Sequence, residues 1–169
     1  LMVEQTSFDP DELDGTYAKT KAAATQYLLD NHGDVELVVL HPSACIGPYD
    51  FKVSSVGSMV RMCMKGAFPI TMTFGAYNFV DVRDVAKGTY AAAKKGRNGE
   101  CYILCGNYMS VDSFIRTLCR VTGHKEPKIK IGNGIVSIAA PIMEVYYNLT
   151  KTTPLFTRYS IRKLKANCN

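Results

Sequence analysis

A chain of 169 residues is long enough for one domain. Hydrophobic content of 47% with 21% charged residues excludes a disordered or low-complexity chain. The net charge of +5 is modest, and its densest runs, Lys94-Lys95-Gly96-Arg97 and Arg158 to Lys165, are short. They read as solvated helix ends rather than a nucleic-acid footprint, though a weak attraction for anionic small molecules is compatible with them.

Residues 1 to 14 are polar, carry the turn signal Asp9-Pro10-Asp11, and contain no apolar signal-peptide core. A helix is predicted from about Gly15 to Asn31, opened by Tyr17-Ala18-Lys19-Thr20-Lys21 and continued by Ala22, Ala23 and Ala24. Gly33 stops it. Val35 to Leu40 then reads as a buried strand, placed at about Glu36 to His41, and it breaks into His41-Pro42-Ser43-Ala44-Cys45-Ile46-Gly47-Pro48. A helix is predicted from about Ser55 to Lys65, with Val56, Met59, Val60 and Met64 at helical spacing. Pro69 to Asn78 reads as irregular or hairpin-like, and Tyr77 to Val82 as a short strand. Asp84 is placed to cap the following helix, which runs to about Lys95. Cys101 to Leu104 reads as a second buried strand. Ser110-Val111-Asp112-Ser113 starts a helix with Phe114, Ile115 and Leu118 as its stripe, ending at Gly123. Lys128 to Ile131 alternates as a half-exposed strand. Helices are predicted over about Ile135 to Lys151 and Thr157 to Lys165.

Strands alternating with helices imply an α/β fold with a parallel sheet covered on both faces. Only two strands have the character of sheet-core strands, which by itself suggests half of a doubly wound domain. Gly134 to Leu149 is the most apolar stretch, but Pro141 and Glu144 interrupt it and it falls short of the ~20 residues of a membrane span, so no membrane partner is expected. The six cysteines contain no Cys-x-x-Cys. Cys101 and Cys105, four strand steps or ~13 Å apart, are too distant for one zinc or one disulfide. No metal site is expected, and the cysteine usage fits a cytoplasmic location.

Tyr17 and Lys21, four apart, share one helix face. A phenol beside an ammonium is an acid–base device, because a nearby cation favours the phenolate. The spacing alone is weak evidence. With 10 Tyr and 13 Lys in 169 residues, chance gives roughly 0.8 such pairs. The chain has four: Tyr17/Lys21, Tyr90/Lys94, Tyr147/Lys151 and Tyr159/Lys163. Only the first is followed by a buried-strand pattern ending in a Gly/Pro loop, the position where open α/β sheets bind ligands.

Three stretches, Tyr17 to Lys21, His41 to Pro48 and Phe79-Val80-Asp81-Val82-Arg83-Asp84-Val85-Ala86, together with a weaker Thr157-Arg158-Tyr159-Ser160, resemble in order the extended short-chain dehydrogenase/reductases, the NAD-dependent epimerase/dehydratases. The dihydroflavonol-reductase-like and sugar-epimerase members are nearest in look. The resemblance implies the C-terminal half of a doubly wound Rossmann-type parallel sheet plus part of a small substrate-binding subdomain. Residues 1–123 would belong to the former, with interleaved substrate-binding segments, and 124–169 to the latter. It implies NAD or NADP as cofactor and a small-molecule carbonyl or nucleotide-sugar-like substrate, and it allows a homodimer. Tyr17 would be the general acid/base, with Lys21 beside it and bonded to the nicotinamide ribose. Pro42, Ser43, Ala44 and Cys45 would pass the nicotinamide face. Arg83 and Asp84 would lie near the substrate cleft.

No G-x-x-G-x-x-G or G-x-G-x-x-G occurs in the chain. A dinucleotide's pyrophosphate needs such a turn at a helix N-terminus. The expectation is therefore an internal fragment of an oxidoreductase, inactive alone. The alternative is a non-catalytic binding or regulatory module without the dinucleotide-binding half.

Overall fold

The computed structural model describes residues 4–66 and 70–136. Two compact units form from interleaved segments. The chain up to Gly47 joins Val80–Gly106 in the first, and Pro48–Phe79 joins the chain from Asn107 in the second.

In the first unit, α1 (Thr16–Asn31) follows a short 3-10 turn, Pro10–Glu12. Its alanines favour helix, but Gly15 at its N-cap offers no side-chain cap, and Ala22 is its only buried residue. Strand β1 (Val38–Pro42) pairs in parallel with β5 (Glu100–Leu104), in register from Val38 opposite Glu100 to Pro42 opposite Leu104. The Ser43 N–H extends the ladder to the Leu104 carbonyl at 3.0 Å. Helix α3 (Val82–Lys95) packs on one face of this pair. A Cβ added to Gly96 just past its end would lie 2.8 Å from Val38 Cγ2 and 2.5 Å from the Ala92 carbonyl, so the approach requires glycine. Strand alternation sends Val39, His41 and Ser43 to the other face. There the Phe8 ring packs on His41 with centroids 5.2 Å apart. The Phe8 N–H donates to Gln26 Oε1 of α1 at 2.8 Å. Helices thus attach to both faces, α3 directly and α1 through Phe8.

In the second unit, α2 (Ser55–Met64) is capped by Ser54, whose hydroxyl accepts from the Gly57 N–H. Helix α4 (Val111–Val121) is capped in the same way by Ser110. Strand β3 (Ile70–Met72) pairs in parallel with β7 (Ile129–Ile131). The first four residues of β4 (Ala76–Asp81) pair antiparallel with β6 (Asn107–Ser110). Cys63, Met72, Val111, Ile115 and Cys119 form the core, with Met59, Phe74, Tyr77 and Leu118 packed against it. Phe79 stacks on Phe114 at 4.2 Å.

Both predicted sheet-core strands form, but they pair with each other, and Cys101 is their one buried residue. Val35 lies outside β1 and is 69% exposed, and all of β1 is at best half-buried. Three short strands were not predicted. Strand β2 (Ala44–Ile46) lies inside the expected loop, β3 falls in the segment expected to be irregular or hairpin-like but pairs in parallel with the distant β7, and β6 precedes α4. The helix cap is Asp81, not Asp84: β4 runs to Asp81, whose carboxylate accepts the Arg83 N–H at 2.8 Å, leaving Asp84 in the first turn. The helix predicted at 135–151 is described only over its first turn, 133–136, and its remainder and the 157–165 helix lie outside the described residues.

Candidate active site

Tyr17 and Lys21 sit in the first turns of α1, with the Lys21 ammonium 6.0 Å from the Tyr17 ring centroid. Tyr17 is 73% exposed, so its hydroxyl is accessible to a ligand. Gln26, which faces the Phe8–His41 contact, is nine residues on, half a helical revolution away from Tyr17. The Tyr17/Lys21 face therefore points away from the face that fastens α1 to the strand.

The segment Pro42 to Cys45 leaves the carboxyl end of β1 and enters β2. Its backbone is held by the Ser43–Leu104 bond, and the exposed Cys45 thiol donates to the Ser43 carbonyl at 3.5 Å. Gly47 closes the run at φ 142°, where a Cβ would come within 2.7 Å of Val82 Cγ1 and 3.4 Å of Asp81 Oδ1. The close approach brings the His41–Pro48 stretch against the start of α3, so two of the three family-like stretches meet. Arg83 is not a free cation there. It clamps Asp81 with Nε on Oδ1 at 2.9 Å and Nη2 on Oδ2 at 2.6 Å. The side-chain and backbone bonds from Arg83 hold the Asp81 carboxyl well below the usual carboxylate range. Asp84 is paired with Lys87 at 3.0 Å.

Two buried polar atoms flank Pro42 without a hydrogen-bond partner in the protein: Nε2 of His41 and Oγ of Ser43. Such atoms are uncommon and call for a ligand or water partner. Both atoms are covered by protein, so a small polar group such as a carboxamide would reach them only if that cover opened. The glycine-rich turn that a dinucleotide's pyrophosphate needs has no counterpart in these 169 residues. Phe8 and Gln26, which fasten α1 to β1, were missed in the sequence. Phe8 is the one large apolar residue between Val3 and Leu13, the signal that could have singled it out. Among the described residues there is no cluster of three metal-ligating side chains, and no helix is long and apolar enough to cross a membrane. Cys101 lies in β5 with its thiol pushed up by burial, and Cys105 is exposed just past the strand.

The structure shares its fold with the crystal structure of gox2253 at 28% identity and a TM-score of 0.71, covering 92% of this chain and 48% of that one. A dTDP-glucose 4,6-dehydratase from Bacillus anthracis, solved in complex with NAD, has the same fold at 18% identity. Its TM-score is 0.61, covering 78% of this chain and 45% of that one. In sequence, the chain is 29% identical over 168 residues to sterol demethylase protein B of Methylococcus capsulatus, covering 96% of this chain and 50% of that protein. The chain thus spans about half the length of these relatives. The α/β architecture is that of the Rossmann-type epimerases and dehydratases. The model of the NAD dependent epimerase/dehydratase family matches residues 2–105, a span that contains all three of the stronger motif stretches, and the chain belongs to that family.

Proposed function

We propose that this chain carries the proton-transferring end of an NAD(P)-dependent oxidoreductase or epimerase/dehydratase, acting on a carbonyl or nucleotide-sugar-like substrate. The observation that carries it is an accessible phenol with a cation 6.0 Å from its ring, inside the family match and ahead of the orphaned polar atoms at the end of β1. Tyr17 Oη gives a proton to the substrate oxygen, or takes one from it. Lys21 stabilises the charge left on the phenolate and donates to a ribose hydroxyl. Pro42 to Cys45 would hold the nicotinamide, with Ser43 Oγ and His41 Nε2 available to its carboxamide, only once α1 turns its Tyr17/Lys21 face toward the end of β1. Pro42, Ala44 and Cys45 shape the surface against the ring. When bound, the nicotinamide supplies or accepts the hydride. A substrate of this kind needs no nucleic acid or membrane, and a homodimer is compatible with it.

The test is NAD(P)H-dependent turnover of a carbonyl panel and of nucleotide sugars, by this chain and by any longer gene product that contains it. Dinucleotide binding and turnover that fall together on Tyr17→Phe and Lys21→Met support the reading. Turnover indifferent to both substitutions sinks the site assignment. A second reading, a non-catalytic module, is favoured by one observation, the lack of a glycine-rich phosphate turn in these 169 residues. Binding of a substrate analogue with no dinucleotide binding in either protein would select it.

A further inference from the structure

The second unit holds two thiols that the reaction above does not use. Cys63 is 0% exposed and Cys119 2% exposed, and both belong to one core cluster. They lie near the C-terminal ends of α2 and α4, and one residue ties those ends together. The His124 N–H donates to the Cys119 carbonyl at 2.9 Å, while its ring nitrogen Nε2 is 2.8 Å from the carbonyl of Met64, next to Cys63. The two thiols belong to that one cluster and influence each other electrostatically. A disulfide between them requires the sulfurs to meet at ~2.0 Å.

We propose that Cys63 and Cys119 form a buried dithiol site that closes to a disulfide joining α2 to α4 when a peroxide reaches it. One thiolate attacks the O–O bond, becomes a sulfenic acid and releases water. The second thiol then attacks that sulfur, forms the S–S bond and releases a second water. The two thiols lose two electrons and two protons, and hydrogen peroxide is reduced to two waters. Peroxide is small and uncharged enough to enter an apolar core, whereas bulkier disulfide oxidants are excluded from it. Burial, and then the neighbouring Cys119, push the Cys63 thiol up to about 11. The pair therefore stays reduced through brief exposure and closes under sustained exposure, because the thiolate is the reacting species. Closure ties two helices that are separated in sequence, and should raise resistance of this unit to unfolding. Neither thiol takes part in the proposed enzyme activity.

The experiment uses the chain in its native state. Exposed Cys45 and Cys105 are first blocked with one alkylating reagent. The protein is then treated with hydrogen peroxide, unfolded in a second reagent of different mass, and mapped by mass spectrometry. Sulfoxide at Met64, which is 60% exposed, shows that the oxidant acted. The expected product is a Cys63–Cys119 cross-linked peptide, about 2 Da lighter than the sum of its parts and lost on reduction with dithiothreitol. A melting temperature several degrees above that of the reduced protein should accompany it. Second-reagent label on both Cys63 and Cys119 after Met64 has oxidised would overturn the proposal. So would sulfinic acid at either cysteine without the cross-link, or cross-linking of Cys63 to another cysteine. Cys119→Ser should abolish the cross-link, and the wild-type result decides the matter even if that variant fails to fold.

Discussion

Tyr17/Lys21 and Tyr90/Lys94 are alike locally: both tyrosines are exposed, and the ammonium-to-ring distances are 6.0 and 5.8 Å. What separates them is surroundings. Tyr17→Phe is expected to lower turnover by about 10²–10⁴-fold with no change in far-ultraviolet circular dichroism, whereas Tyr90→Phe leaves turnover unchanged. Equal effects of the two substitutions would remove Tyr17 from the mechanism. Ser43 offers a second test. Its orphaned hydroxyl contributes nothing to the ligand-free protein, so Ser43→Ala should leave the melting temperature unchanged or raise it. The same substitution should weaken dinucleotide binding by about tenfold, roughly the 1.4 kcal/mol of one hydrogen bond, read by calorimetry. At this scale the sequence was partly legible. A four-residue interval and an Ala run show in letters. The orphaning of His41 Nε2 and Ser43 Oγ does not, because it depends on what covers them.

Helices were more legible than strands. Residues Thr16–Asn31, Ser55–Met64 and Val111–Val121 carry their own propensity and, in the last two, Ser caps, so their ends lie close to the expected ones. Short strands such as Ile70–Met72 and Asn107–Ser110 exist because a distant partner is present, and three or four residues hold no readable period. The packing of α3 depends on Gly96, and Gly96→Ala should destabilise the first unit by about 1–3 kcal/mol in chemical denaturation, since the added Cβ meets both Val38 and the helix backbone. On α4, Arg116 bonds Asp112 at 3.0 Å and Glu126 at 2.7 Å, Arg120 bonds Glu126 at 3.1 Å, and Lys130 of β7 bonds Asp112 at 3.0 Å. Burial opposes ionisation of Asp112, but the bonds from Lys130 and Arg116 outweigh it and lower its pKa. Arg116 and then Arg120 lower that of Glu126. Both carboxyls are depressed on folding. Their stabilisation is therefore fully present above the ordinary carboxylate range of about 4 and fades as pH falls through their lower native values. The melting temperature should fall on acidification below about pH 4, and Asp112→Asn with Glu126→Gln should flatten that dependence. An unchanged slope would show that the network carries no linkage.

Burial is uneven across the molecule. The second unit has the core cluster, and Ile115 within it is 1% exposed, so Ile115→Ala should cost about 2–5 kcal/mol. In the first unit only Ala22, Val80 and Cys101 are buried among the described residues, and an open groove of about 240 Å³ runs beside α3 past Leu40, Tyr102 and Leu104. Amides of β1 and β5 should therefore exchange with solvent faster than those of α4, a difference hydrogen exchange reads directly. Protection of β1 equal to that of α4 would contradict this. The pairing of β1 with β5 also has a cost in time. Each residue of β1 lies 62 positions before its partner, as Pro42 does before Leu104. At a translation rate of ~5–20 residues per second, β1 leaves the ribosome some ~3–12 s before β5 does. During that interval the backbone donors and acceptors that β5 takes are open to any extended chain nearby. Nascent-chain complexes stalled shortly before Glu100 should therefore recruit holding chaperones, and those stalled well beyond Leu104 should release them.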